Sequence, residues 1–210
     1  MTRLLLIRHG QTAWNKDQVF RGRIEIPLSE TGVMQAEALA QRLSGEHISA
    51  LYCSPLGRAS LTAQLIGAPH RISPHSVEEL TDFDYGEWSG KSRPEVAQRW
   101  PDLLRQWETE PHLVQMPGGE TLEEARQRAV GAVRGLLSRH FGSTVAAISH
   151  RVITKLLLCD FLGLGNEAFW RLWQDTCCLS IIDAEGARVI IKAINDTGHL
   201  CGLETDAADF

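Results

Sequence analysis

The sequence predicts an α/β protein: a three-layer α/β/α sandwich with a mostly parallel central sheet and a C-terminal antiparallel hairpin. Apolar runs of strand length at 4–7, 48–53 and 143–149 each end at a polar or charged residue. Helical patterns with one apolar face fall between them, and 177–183 and 188–193 read as two strands joined across Ala184-Glu185-Gly186-Ala187. Strands that alternate with helices form a parallel sheet covered on both faces, and the terminal pair adds the antiparallel part. At 210 residues, 43% hydrophobic and 22% charged, the chain is long enough to bury a substantial core as one domain, 1–210. A helical, lid-like insertion is expected at 87–117.

The first run, Leu4-Leu5-Leu6-Ile7, stops abruptly at Arg8-His9-Gly10. Ligands of open α/β sheets bind at the carboxyl ends of the strands, so Arg8 and His9 are delivered to a binding position. Residues 11–26 form a polar loop containing Trp14, Phe20 and Gly22, a length that usually signals function. Ser29 is an N-cap, followed by Met34, Ala38 and Leu39 at helical spacing through Leu43. After the strand at 48–53, Ser54-Pro55 starts a helix in which Ala59, Thr62, Ala63 and Ile66 share a packing face, with Arg58 in the first turn.

Residues 71–74 read as a short edge strand, since proline is tolerated at sheet margins. The acidic stretch 78–90, punctuated by Gly86 and Gly90, is expected to be a structured loop. From 93 to 107, Val96, Trp100, Leu103, Leu104 and Trp107 recur at helical spacing and read as packing residues, with a break at Pro101. Gly118-Gly119-Glu120-Thr121 precedes a long amphipathic helix through His140, its stripe formed by Ala125, Ala129, Val133, Leu136 and Leu137. The strand at 143–149 is followed by a helix from His150 to about Leu162, stopped at Gly163.

A net charge of −5 argues against a nonspecific nucleic-acid binder; an anionic ligand would depend on a local cationic cluster. The cysteines are odd in number and lack Cys-x-x-Cys spacing, so Cys53, Cys159, Cys177, Cys178 and Cys201 read as small buried apolar residues in a reducing cytosol. No signal peptide and no apolar run of membrane-spanning length is evident, which predicts a soluble, cytoplasmic protein that meets no membrane. The carboxylates are not set at a metal-binding spacing, and neither a metal nor another cofactor is expected.

Three strand ends repeat one design. Ile7-Arg8-His9-Gly10-Gln11-Thr12 with Asn15, Ser54-Pro55-Leu56-Gly57-Arg58-Ala59 with Thr62-Ala63, and Ile148-Ser149-His150 together supply two arginines and two histidines. With Gly118-Gly119-Glu120-Thr121 in the same order, the chain resembles the histidine phosphatase superfamily, the phosphoglycerate mutase-like family. The resemblance implies that fold and a metal-independent phosphoric monoester hydrolase. Arg8 and Arg58 would offer planar forks of donors to phosphate, and His9 would be the nucleophile that becomes a phosphohistidine. His150 would donate to the transferring oxygens as a cation beside the dianionic phosphate.

Among the acidic loop's carboxylates, Glu78, Glu79, Asp82, Asp84 and Glu87, spacing does not choose a proton donor; the resemblance puts it on Asp82, where many relatives carry glutamate. Thr12, Asn15 and Gly22 would add hydrogen bonds to substrate. The basic segment that the superfamily's mutases carry before Gly-Gly-Glu is absent, which favours hydrolysis. Arg105-Gln106-Trp107-Glu108-Thr109-Glu110-Pro111-His112 and the tail Ile194-Asn195-Asp196-Thr197-Gly198-His199-Leu200 are similar to metal-independent phosphoserine phosphatases. That likeness gives His199 a part in binding the substrate carboxylate and sets Tyr85 in the pocket, where the group carries a histidine. An α-ribazole phosphatase, a broad-specificity sugar phosphatase, a phosphoglycerate mutase and a non-catalytic phosphate-binding regulatory module are the alternatives. The partner is a small phosphate monoester, and the terminal hairpin would offer an edge for a homodimer.

Overall fold

The computed structural model describes residues 1–16 and 19–203. Strands β1 (Thr2–Arg8), β2 (Ile48–Cys53), β3 (His75–Ser76), β4 (Thr144–Ser149), β5 (Leu179–Glu185) and β6 (Arg188–Asp196) form one six-stranded sheet in the order β3-β2-β4-β1-β5-β6. The first four run parallel; β5 is antiparallel to β1, and β6 to β5. The helices are α1 (Ala13–Lys16), α2 (Glu30–Leu43), α3 (Gly57–Gly67), α4 (Arg93–Arg99), α5 (Pro101–Thr109), α6 (Leu122–Arg139) and α7 (Arg151–Phe161). This is the expected three-layer sandwich with its C-terminal hairpin.

Alternation along β1 splits the core. Leu5 and Ile7 join the α2 and α3 residues Ala36, Leu39, Ala59, Ala63 and Ile66 on one face of the sheet. Leu4 and Leu6 join Ala125, Ala129 and Val133 of α6 and Leu156 and Leu157 of α7 on the other. All four β1 residues are at most 1% exposed, and each such burial contributes about 1.5–3 kcal/mol. Both faces being apolar, the register is held by the ladders to β4 on one edge and β5 on the other. Ile148 pairs with both Ile7 and Cys53, and the three strand ends therefore lie side by side.

Several boundaries differ from expectation. The edge strand is at His75–Ser76 rather than 71–74, because Arg71 takes a left-handed conformation (φ 58°) that closes a 3-10 turn. Helix α3 begins at Gly57, two residues beyond Pro55, with Leu56 still extended. The hairpin starts at Leu179 because Cys177 is left-handed (φ 55°), and it runs on to Asp196. In α2 the buried face is Gly32, Gln35, Ala36, Leu39, Ala40 and Leu43, which leaves Met34 exposed. Cys201 is also exposed, unlike the other cysteines.

Ser29 caps α2 as expected, accepting from the Gly32 N–H, and Thr121 and Glu124 form a reciprocal capping box on α6. The segment at 87–117 holds α4 and α5, separated at Trp100. Val96, Leu104 and Trp107 are buried in the main core, and the Trp107 carbonyl accepts from Trp170 Nε1 at 2.7 Å. Among the described residues no helix is long and apolar enough to cross a membrane.

Candidate active site

The ends of β1, β2 and β4 bring Arg8, His9, Ser54, Ser149 and His150 together. The His9 N–H donates to the Ser149 carbonyl (3.0 Å) and the Ser54 N–H to the Ile148 carbonyl (3.0 Å), which extends the parallel pairing one step past the strands. The rings of His9 and His150 have centroids 5.1 Å apart and planes inclined at 60°. Both are buried.

His9 Nδ1 lies 2.6 Å from the Gly10 carbonyl oxygen. A carbonyl only accepts, so Nδ1 carries the proton and Nε2 keeps its lone pair. Burial, followed by the charges of Arg58, Arg8 and Arg21, holds this imidazole well below its ordinary pKa. His150 is likewise pushed down, by burial and then by Arg58 and its neighbours, and its Nε2 pairs with Ser54 Oγ at 2.7 Å. Without a bound anion both rings are therefore neutral; the cationic His150 expected above requires the phosphate's own charge beside it.

Arg58 is fully buried in the first turn of α3. Its Nη1 donates to the Ile24 carbonyl (2.9 Å), and its Nη2 to the Gly22 carbonyl (2.7 Å) and to Asp82 Oδ2 (3.0 Å). Arg8 Nη1 donates to the Gln174 carbonyl at 2.7 Å. Asp82 Oδ2 also stands 3.6 Å from His150 Nδ1, and Oδ1 accepts from the Phe83 N–H at 2.9 Å. Burial raises the Asp82 carboxyl, and Arg58 opposes the rise. Asp82 thus faces both Arg58 and His150, a position none of the other candidate carboxylates shares among the described contacts.

The remaining predicted residues divide. Gly22 is left-handed (φ 54°) and turns its carbonyl to Arg58. Asn15 Oδ1 accepts from the Thr12 N–H and hydroxyl, both at 2.8 Å, so these two buried residues brace the loop after His9. The Tyr85 ring packs edge-on against Phe20, Phe83 and Trp107, in the aromatic cluster beneath the acid loop. His199 Nε2 lies 3.0 Å from the Cys177 carbonyl oxygen, and the Cys177 N–H donates to the His9 carbonyl; His199 is joined to the backbone behind His9. Sequence reasoning gave no role to Ser54, Arg23 or Arg128. Arg128 flanks the buried stripe of α6 next to Ala129, a spacing that hints at a half-buried side chain. Among the described residues no group of His, Cys, Asp or Glu side chains is arranged to hold a metal ion.

Two imidazoles and a guanidinium at adjacent ends of parallel strands, joined by Arg58 from α3 and the Asp82 carboxyl from a loop, define an enzyme class built around an anionic group. The chain belongs to the histidine phosphatase superfamily (branch 1), whose profile matches residues 4–197. It is 36% identical over 200 residues to Phosphoserine phosphatase 1 of Hydrogenobacter thermophilus, covering 95% of each chain. It is 27% identical over 193 residues to the Adenosylcobalamin/alpha-ribazole phosphatase of Escherichia coli, covering 92% of this chain and 95% of that one. The solved structure of Bacillus stearothermophilus YhfR superposes with a TM-score of 0.91 at 31% identity, covering 95% of this chain and all of the other.

Proposed function

We propose that the protein hydrolyses small phosphate monoesters through a phosphohistidine on His9, with phosphoserine as substrate. The observation that carries the mechanism is the His9 Nδ1 to Gly10 carbonyl contact of 2.6 Å, which leaves Nε2 as the nucleophile. In the first step Nε2 attacks phosphorus as the ester P–O bond breaks, and protonated Asp82 gives its proton to the leaving alkoxide. Arg8, Arg58 and His150 neutralise the nonbridging oxygens as they pass through the transition state. In the second step water attacks the phosphohistidine and Asp82 carboxylate takes its proton. The P–N bond breaks, returning neutral His9 and orthophosphate.

Two arginines supply the charge a magnesium ion would bring, so the reaction proceeds without metal. The likeness to the Hydrogenobacter enzyme supports phosphoserine. The Escherichia coli relative's name supports α-ribazole phosphate as the second reading. Wild type and His9→Ala are compared on phosphoserine, α-ribazole phosphate and 3-phosphoglycerate, with acid and alkaline quenching of phosphate-labelled enzyme. Label that survives alkali, is lost in acid and disappears with His9→Ala supports the intermediate. Normal turnover by His9→Ala refutes it, and comparable rates on every ester refute phosphoserine specificity.

A further inference from the structure

Four consecutive backbone carbonyls of the loop that carries Asp82 accept hydrogen bonds from side chains. Arg128 Nη1 donates to the carbonyls of Glu79 (2.6 Å) and Thr81 (2.8 Å), and Arg128 Nη2 to that of Asp82 (3.1 Å). Ser149 Oγ donates to the Leu80 carbonyl at 2.7 Å, and Arg23 Nε to the Asp82 carbonyl at 3.3 Å. Arg128 also grips Glu120, through Nε to Oε1 at 2.9 Å and Nη2 to Oε2 at 3.0 Å. The guanidinium's donor capacity is thereby fully used.

Glu120 closes the frame. Its Oε2 accepts from the Asp84 N–H at 3.2 Å, its Oε1 from Arg23 Nη2 at 2.5 Å, and its own N–H donates to the Asp84 carbonyl at 3.0 Å. Gly119 lets the two segments meet: a Cβ there would lie 2.3 Å from the Asp84 carbonyl oxygen. Surface loops ordinarily leave their carbonyls to water. Here charge-assisted bonds hold the backbone from 79 to 84.

We propose that Glu120 and Arg128 are positioning residues that set the reach of the proton donor. The proposal rests on the reading of Asp82 as that donor. A single methylene separates the Asp82 Cα from its carboxyl, so one torsion alone places the carboxyl carbon while the second only turns its oxygens, and the carboxyl goes where the backbone is held. Misplacement by about 1 Å is enough to cost on the order of 100-fold in rate. The Gly118-Gly119-Glu120-Thr121 run is therefore part of the acid's support, and it touches no reacting atom.

The test uses p-nitrophenyl phosphate, which departs readily without a proton, and phenyl phosphate, which has nearly the same shape but departs as a phenolate of pKa about 10. The quantity measured is the ratio of kcat/KM for the nitrated ester to that for the plain one, which reports the first chemical step. Asp82→Asn should raise the ratio by about 10- to 100-fold. Glu120→Gln removes the charge that orients Arg128, and Arg128→Lys offers three donors in place of five. Each should raise the ratio by about fivefold or more. Arg128→Lys keeps the charge and stands in should Glu120→Gln fail to fold. If these two variants slow both esters in parallel while Asp82→Asn raises the ratio, the positioning role is overturned and the donor assignment stands. An unchanged ratio in Asp82→Asn overturns the donor itself.

Discussion

Replacing Arg58 by alanine should destabilise the protein in a pH-dependent way. The side chain is fully buried, and its removal leaves the Gly22 and Ile24 carbonyls and Asp82 Oδ2 without the donors that now lie at 2.7, 2.9 and 3.0 Å. A buried carbonyl stripped of its partner costs about 1–3 kcal/mol, and breaking a buried ion pair about 3–5 kcal/mol. These losses share one side chain and do not add fully, and Asp82 relieves part of its share by taking up a proton. The net loss should be about 3–5 kcal/mol, a large part of the 5–15 kcal/mol, roughly, that keeps a domain folded. In a chain of 210 residues that lowers Tm by about 6–20 °C.

The sign of the pH effect follows from Asp82. Arg58 holds the carboxyl down against a burial that raises it, so its pKa climbs further in the variant. At high pH the variant buries an unpaired carboxylate; as pH falls the carboxyl is protonated and that part of the penalty disappears. The difference in Tm between wild type and Arg58→Ala, followed by circular dichroism, should be largest near about pH 8 and narrow towards about pH 5. A difference below about 2 °C at the higher pH, or one that widens on acidification, would refute the reasoning.

Four further outcomes are expected. His9 is held well below its ordinary pKa, so the acid limb of kcat/KM should break below the usual histidine value of about 6.5; a break at that value shows His9 to be titrating as though exposed. The same depression makes the stability owed to neutral His9 and His150 present above about pH 6.5 and lost as pH falls. His150→Asn should accordingly lose less Tm than wild type between about pH 7 and pH 5, and an equal loss contradicts it. Gly119→Ala forces a Cβ to 2.3 Å from the Asp84 carbonyl oxygen; it should lower the urea midpoint by an amount equivalent to about 1–3 kcal/mol, and an unchanged midpoint would mean that the backbone yields freely. EDTA should leave turnover intact, whereas strict magnesium dependence would overturn the metal-independent reading.

The parts of the site that sequence exposes are those fixed by local pattern. An apolar run ended by Arg8-His9-Gly10 announces both a strand and the residues at its tip, and Ile148-Ser149-His150 does the same. What the pattern lacks is order in space: that β4 lies between β1 and β2, and so brings His150 to Ser54, depends on hydrogen bonds between segments far apart in the sequence. The short strand β3 escapes for a similar reason, since its two residues are strand only because β2 pairs with them. Arg128 was hidden by its type. An arginine on an amphipathic helix usually belongs to the solvated face; its place beside the buried stripe signals partial burial, but the loop carbonyls that it holds are visible only once they fold over α6.

The site is held in two physically different ways. Arg8, His9 and His150 follow directly from strand register, and a change in the loops above them leaves that register untouched, because it is held by ladders on both edges of β1 and by the two buried cores. The tautomer of His9 is set still more locally, by the carbonyl of the next residue. Asp82 has no such guarantee: its position comes from side-chain bonds to its backbone, made by Arg128 and by the half-exposed Arg23, both tied to Glu120. Ionic screening weakens exposed pairs more than buried ones. High salt should therefore impair proton delivery before it impairs phosphate capture, and esters with poor leaving groups should lose rate first. Equal losses on good and poor leaving groups would mean that the loop is held by its packing, with Leu80 and Phe83 buried beneath it, rather than by charge.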